Sequence, residues 1–266
     1  MKLCNLEHTV AIVTGGSSGI GLACVEQFLS AGAAVAFCGR DTGRLAEAEK
    51  QIRARFPEGR LLAAPCNVLD SAAVTRFAAQ SESTFGPASI LINNAGQGRV
   101  ATFAETTEAA WQEELQLKFF SVINPTRAFL PQLEQQGSGT IVCVNSLLAL
   151  QPEPHMVATS AARAGVVNLV RSLAIEYAPK NIRVNGILIG LVESGQWRRR
   201  YEQRENRAES WEEWSHTLAV KKQIPLGRLG LPEEAARAVF FLASPLSSYT
   251  TGSHIDISGG LSRHAR

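Results

Sequence analysis

Apolar, β-branched runs recur along the chain and alternate with longer amphipathic stretches. The runs are TVAIVTG (9–15), AAVAFCG (33–39), RLLAAPC (60–66), SILINNAG (89–96), GTIVCVNS (139–146), NIRVNGILIG (181–190) and GSHIDISGG (252–260). Each is almost continuously apolar, the pattern of strands covered on both faces. Helical periodicity fills the intervals at 19–31, 41–55, 70–84, 107–133, 156–178 and 232–243. Strand–helix repetition means right-handed crossovers and a parallel sheet of about seven strands. No linker or composition break interrupts it, so residues 1–266 are expected to form one α/β domain.

One segment departs from the pattern. From Glu193 to Gln223 the chain holds three of its four tryptophans, one of its three tyrosines and a run of arginines. It lies between the last two strands, towards the carboxyl end of the sheet, where open α/β sheets bind ligands. It reads as a helical cap over a pocket, or as a solvated helix pair or oligomer contact. Trp197, Trp211 and Trp214 suit an apolar wall. Arg198, Arg199 and Arg200 suit an anion, or more simply a solvated helix face.

The turn TGGSSGIG, Thr14 to Gly21, leaves the first strand and opens a helix. Gly15 permits a tight turn, Gly19 a close approach of backbone to pyrophosphate, and Gly21 close packing of helix on strand. The helix N-terminus then offers unpaired N–H groups to the phosphates. At the end of the second strand, CGRD puts Gly39 where an NAD site wants a carboxylate. Arg40 can grip a 2′-phosphate there, with Arg44 one turn on. Asp41 fits best as the N-cap of the next helix. These residues favour NADP(H) over NAD(H).

Composition narrows the class. Hydrophobic residues make up 45% of 266, enough for a substantial core, and the net charge is +2. That balance argues against a nucleic-acid partner. The first residues lack a signal peptide's apolar run, and no stretch is apolar enough to span a bilayer, so the expected home is the cytoplasm. Five scattered cysteines without C-x-x-C or metal-ligand spacing fit reduced, mostly buried thiols and no metal site.

Thr14–Gly21, NNAG at 93–96, Ser146 at a strand end, IRVN at 182–185 and PLGRLGLPEEAARAVFFLAS…TTGSHIDISGG together resemble the short-chain dehydrogenase/reductase family, in one register from about residue 7 to 260. The resemblance implies a Rossmann-like doubly wound sheet, a nicotinamide cofactor and a homo-oligomer, tetramer or dimer, built on the 107–133 and 156–178 helices. By that register Gly15, Ser17, Ser18, Gly19, Ile20 and Gly21 hold the pyrophosphate, and Asn67 and Val68 lie beside adenine. Asn94, Ala95 and Gly96 line a ribose. Ile189, Gly190 and Val192 flank the nicotinamide, where Ser194 replaces the usual Thr at the carboxamide.

The resemblance also places an Asn–Ser–Tyr–Lys catalytic set, of which this chain keeps only Ser146. The Asn falls at Lys118, the Tyr at Thr159 and the Lys at Arg163. An aliphatic hydroxyl is a far weaker acid than a phenol of pKa about 10. Arg163 retains the cation that would hold the nicotinamide ribose but is a poor proton donor. Lys118, desolvated near Arg163, and His155, four residues before Thr159, are the remaining acids. Each has a plainer reading: Lys118 as a snorkelling side chain, Thr159 as helix filler, His155 as a pocket wall. The leading expectation is an NADP(H)-dependent oxidoreductase interconverting a small-molecule carbonyl and alcohol through a rearranged centre of Lys118, Ser146, Thr159 and Arg163. The alternatives are an inactive nicotinamide-binding sensor or scaffold, and a lyase using the fold without net redox change.

Overall fold

The computed structural model describes residues 4–204 and 207–263. Seven parallel strands form one sheet, β1 (Val10–Thr14), β2 (Ala34–Gly39), β3 (Leu61–Pro65), β4 (Ile90–Asn93), β5 (Gly139–Ser146), β6 (Ile182–Ile189) and β7 (His254–Ile257). Their order is β3-β2-β1-β4-β5-β6-β7. All seven expected runs become strands; β5 keeps its whole run and the other six are trimmed where their flanking residues enter turns.

The helices are α1 (Gly19–Ser30), α2 (Thr42–Arg55), α3 (Ser71–Phe85), α4 (Glu108–Gln135), α5 (Val157–Tyr177), α6 (Gly195–Glu202), α7 (Trp211–Lys221) and α8 (Pro232–Ala243). Asp41, Asp70 and Thr107 begin α2, α3 and α4 by accepting hydrogen bonds from first-turn N–H groups. Pro125 and Pro131 lie inside α4 without ending it. Each removes one N–H, but the helix is held by burial of Val122, Phe129 and Leu133.

Apolar runs conceal a period of two. Ala11 and Val13 of β1, with Val35 and Phe37 of β2, pack into a core with Phe28 of α1 and Val239 of α8. Their neighbours Val10, Ile12, Ala34 and Ala36 pack on the other face with Phe77, Phe129 and Val170 from α3, α4 and α5. Successive side chains of a strand point to opposite faces, so a sheet covered on both sides needs apolar residues at every position.

Strand order reverses at β1, whose neighbours are β2 and β4. The crossovers leave this junction to opposite faces, which opens a crevice beyond the strands' carboxyl ends. The cap segment forms α6 and α7 between β6 and α8, with Glu205 and Asn206 outside the described residues. No described helix is long and apolar enough to cross a membrane.

Candidate active site

A cleft of about 460 Å³ opens at that junction. It is lined by Gly15, Ser17, Ser18, Gly19 and Ile20 from the glycine turn, and by Arg40, Asn67, Val68, Asn94, Ala95 and Gly96 beside it. Lys118, Asn145, Arg163, Ile189, Gly190, Val192 and Ser194 line the rest. The structure therefore brings together most residues expected to touch a cofactor, drawn from five strand ends and two helices.

The glycine turn is tied to β4. Asn94 donates through Nδ2 to the carbonyls of Thr14 and Gly15 at 3.0 and 3.1 Å, and the Thr14 hydroxyl accepts from the N–H groups of Asn94 and Ala95. Gly21 does not line the cleft; it lies against the turn, where a Cβ would come within 2.2 Å of the Gly15 carbonyl. Gly19 has φ +56°, and a Cβ there would meet nothing within 4 Å. Ser18, the N-cap of α1, makes no side-chain cap bond. An open, glycine-floored helix N-terminus with uncapped N–H groups is the arrangement that takes a phosphate.

Arg40 is exposed on the cleft rim beside Gly39. Asp41 does cap α2, accepting from the Arg44 N–H at 2.9 Å, and also binds the Arg44 guanidinium at 2.9 Å. Arg44 is thus already paired, while the capping bonds hold the Asp41 carboxyl below its ordinary range. Behind the cleft-lining Val68, buried Asn124 of α4 donates to the Val68 carbonyl at 2.9 Å and steadies that loop.

At the inner end of the cleft, Lys118 is 5% exposed. Its Nζ donates to the Gln97 carbonyl at 2.6 Å and to Glu114 Oε2 at 2.9 Å. Burial, and then the Arg163 charge, push its pKa down, against the pull of Glu114. Thr159 is buried, accepts from the Arg99 N–H at 3.1 Å and contacts Glu114 Oε2. It does not line the cleft. With one proton, its hydroxyl donates either to Glu114 or to the Arg99 carbonyl at 3.2 Å.

Arg163 exchanges two hydrogen bonds with Asn145: NH1 donates to Oδ1 at 3.0 Å, and Asn145 Nδ2 donates to the Arg163 carbonyl at 3.0 Å. Burial pulls the guanidinium down to about 10, which leaves it charged at neutral pH. Its Nε is shielded from solvent and has no partner. An unsatisfied buried donor on the cleft wall fits a ribose hydroxyl or other acceptor supplied by a ligand. Ser146 ends β5 and, unlike its neighbour Asn145, does not line the cleft; its Oγ accepts from the Leu148 N–H at 3.3 Å, which leaves the hydroxyl proton to donate.

His155 is not brought to this group. It is exposed, pairs with Glu153 at 3.1 Å and does not line the cleft. Its neighbourhood is set by the N-terminus of α5 meeting the loop after β4, where Ala101 N–H donates to its carbonyl. The cap aromatics also differ from a pocket wall. Trp211 and Trp214 pack at 5.5 Å with their rings tilted by 31°, and Tyr201 packs edge-on to both, in a small core shared with Leu147 and Leu261. Of the cap tryptophans only Trp197 lines the cleft. Arg198 and Arg200 lie over Trp211 and Trp197.

Two residues of the centre escape sequence reasoning. Glu114 had a local signal, an i,i+4 pair with Lys118, but such pairs are usually solvent-facing. Asn145 sits beside Ser146 in a strand, and nothing local shows that it locks Arg163.

The family profile described as short chain dehydrogenase matches residues 9–205. The chain is 33% identical over 254 residues to a 3alpha-hydroxysteroid dehydrogenase of Mediterraneibacter gnavus, covering 96% of this chain and 97% of that one. It is 32% identical over 256 residues to the 3-oxoacyl-[acyl-carrier-protein] reductase of Thermotoga maritima, covering 96% and 98%. Among solved structures, it matches an NADPH-bound short chain oxidoreductase of Pseudomonas aeruginosa PAO1 that contains an atypical catalytic center. The match has 70% identity and a TM-score of 0.95, covering 98% of this chain and 100% of that one. L-sorbose reductase of Gluconobacter frateurii, complexed with NADPH and L-sorbose, is 30% identical with a TM-score of 0.93, covering 100% of both chains.

A Rossmann-like sheet with a cleft at its switch point, taken with these matches, defines the class as a short-chain type of oxidoreductase. The chain belongs to the short-chain dehydrogenase/reductase family.

Proposed function

We propose that the protein is an NADP(H)-dependent oxidoreductase that interconverts a small-molecule carbonyl and its alcohol, with Lys118, Ser146, Thr159 and Arg163 as its working centre. The observation that carries this reading is a buried ammonium, Lys118, facing the same cleft as Arg163 and just inside the ribose-lining loop. The turn from Gly15 to Ile20 would hold the pyrophosphate, and Asn67 and Val68 the adenine. Asn94, Ala95 and Gly96 would line a ribose. Arg163 would take the nicotinamide ribose through its orphaned Nε, while Ile189, Gly190, Val192 and Ser194 flank the ring. Arg40, beside a glycine rather than a carboxylate, favours the 2′-phosphate of NADP(H). Both solved neighbours named above contain NADPH.

When bound, the cofactor supplies or accepts the hydride. In reduction, the Ser146 hydroxyl donates a hydrogen bond to the carbonyl oxygen, and Lys118 gives it a proton as charge develops. Thr159, buried and weakly acidic, orients Glu114 and the Arg99 loop in place of delivering its own proton. Arg163 stays charged throughout. The chain acts as one domain and assembles as a homo-oligomer, tetramer or dimer, through α4 and α5, which expose Leu115, Phe120 and Ile175.

The test is single-turnover hydride transfer from NADPH to a panel of 3-oxosteroids, 3-oxoacyl thioesters and ketoses, comparing wild type with Lys118→Met. Loss of a general acid should slow transfer by about 10²–10⁴-fold with NADPH binding retained. An unchanged rate removes Lys118 from the mechanism. Tight NADPH binding without turnover on any member of the panel favours a sensor instead.

A further inference from the structure

Glu114 and Lys118 form a buried pair, each side chain 5% exposed, one helical turn apart on α4. An ammonium has three N–H donors. Two are committed, to the Gln97 carbonyl and to Glu114 Oε2, which leaves one for the cleft that Lys118 lines. Once that third proton is given up, the neutral amine still has two N–H groups for its two fixed acceptors. Its new lone pair points where the proton left. The same Glu114 oxygen contacts the Thr159 hydroxyl, so one carboxylate links α4 to the α5 position that the family gives to its tyrosine.

We infer that Glu114 is the positioning residue for proton delivery: it aims the Lys118 amine into the cleft and holds it in its charged form until substrate arrives. This rests on Lys118 being the acid. In the reductive direction an N–H bond of Lys118 breaks and an O–H bond forms on the substrate oxygen. The N–H electron pair stays on Nζ, and the two reducing electrons arrive with the hydride. The charged groups facing the amine are Glu114 from its own helix, Arg163 from α5 and Arg99 from the loop after β4, itself paired with Glu113. Two cations and burial favour loss of the proton, and the Glu114 carboxylate alone opposes them. A brace without a catalytic consequence would need the hydrogen bond but not the charge.

The test uses the full-length protein labelled with ¹³C at the lysine Cε and saturated with NADPH. Lys118→Met identifies the Lys118 signal by its loss. In Glu114→Gln, which keeps an acceptor and removes the charge, Lys118 should titrate lower by about one pH unit or more, tenfold in proton affinity. Glu114→Asp should restore most of the shift. The alkaline limb of kcat/KM for reduction should move by the same amount. A Lys118 titration unmoved by Glu114→Gln overturns the inference. Retained hydride transfer in Lys118→Met instead overturns the acid assignment on which it rests. Should Glu114→Gln fail to fold, adding Lys118→Met should restore folding, because the uncompensated buried charge is then gone. Failure of that double variant to recover also overturns the inference.

Discussion

Gly21→Ala tests whether the glycine turn is built as a rigid unit. A Cβ at residue 21 would stand 2.2 Å from the Gly15 carbonyl oxygen and 2.5 Å from Asn94 Nδ2, whereas ordinary contact begins at 3.4 Å. The obstruction is backbone, and that carbonyl is held by Asn94 at 3.1 Å, so it cannot rotate aside as a side chain would. Overpacking costs about 1–3 kcal/mol, and a backbone obstruction belongs near about 3. With an unfolding entropy of about 2.1 cal/mol/K per residue, that lowers the melting temperature of a chain this size by about 5 °C. The displaced carbonyl also opens the phosphate cradle, so NADPH binding should be lost. Gly19→Ala is the control. Its φ of +56° costs an L-residue about 1–2 kcal/mol, or about 3 °C, and nothing in the protein obstructs the methyl group. It should weaken NADPH through occupying the approach to the turn, with a smaller loss of stability than Gly21→Ala. Calorimetry and NADPH titration of both variants decide the matter. A Gly21→Ala protein that melts within about 1 °C of wild type and binds NADPH normally would refute the reasoning, since a fixed carbonyl cannot tolerate that contact.

Arg40→Ala should weaken NADPH by about 10- to 100-fold, the worth of a charge-assisted hydrogen bond, and leave NADH binding unchanged. Isothermal titration with both cofactors checks it, and equal losses would disprove a role at the 2′-phosphate. Glu234, at the start of α8, has its carboxyl held down to about 2 by Arg228 and the Leu231 N–H. A depressed folded-state pKa contributes stability above the unfolded value of about 4.3 and loses it as pH falls towards about 2. Wild type should therefore melt above Glu234→Gln at pH 7, and the gap should narrow as pH falls below about 4.3 and close only at about pH 2 and below. A gap independent of pH would show that the pair is not the cause.

How far the sequence carries depends on the range over which each feature is set. Strand and helix positions follow from period and composition within short windows, so among the described residues all seven strands and six of the eight α-helices match their expected spans to within two or three residues. Asp41 as the cap of α2 was legible for the same reason, because a cap answers to N–H groups a few residues away. The cap aromatics were visible as a cluster, but whether they wall a pocket or pack on one another depends on the angle between two helices. His155 and Thr159 sit four residues apart in sequence, yet one is exposed and the other buried, because the loop after β4 crosses between them.

By itself, the sequence determined a doubly wound parallel sheet, a glycine turn at its switch point, and the loss of a phenol and a lysine from the family's catalytic set. Only the tertiary structure decided what surrounds those positions. It turned Lys118 into the cleft, paired it with Glu114 and locked Arg163 to Asn145. Together with the Thr159–Glu114 contact they join β5, α4 and α5, which parallel strand register and helix packing bring together. Buried charge is costly without a partner; the i,i+4 spacing offers Glu114 to Lys118, but no local pattern shows that this pair is buried or that Asn145 and Thr159 will meet Arg163 and Glu114.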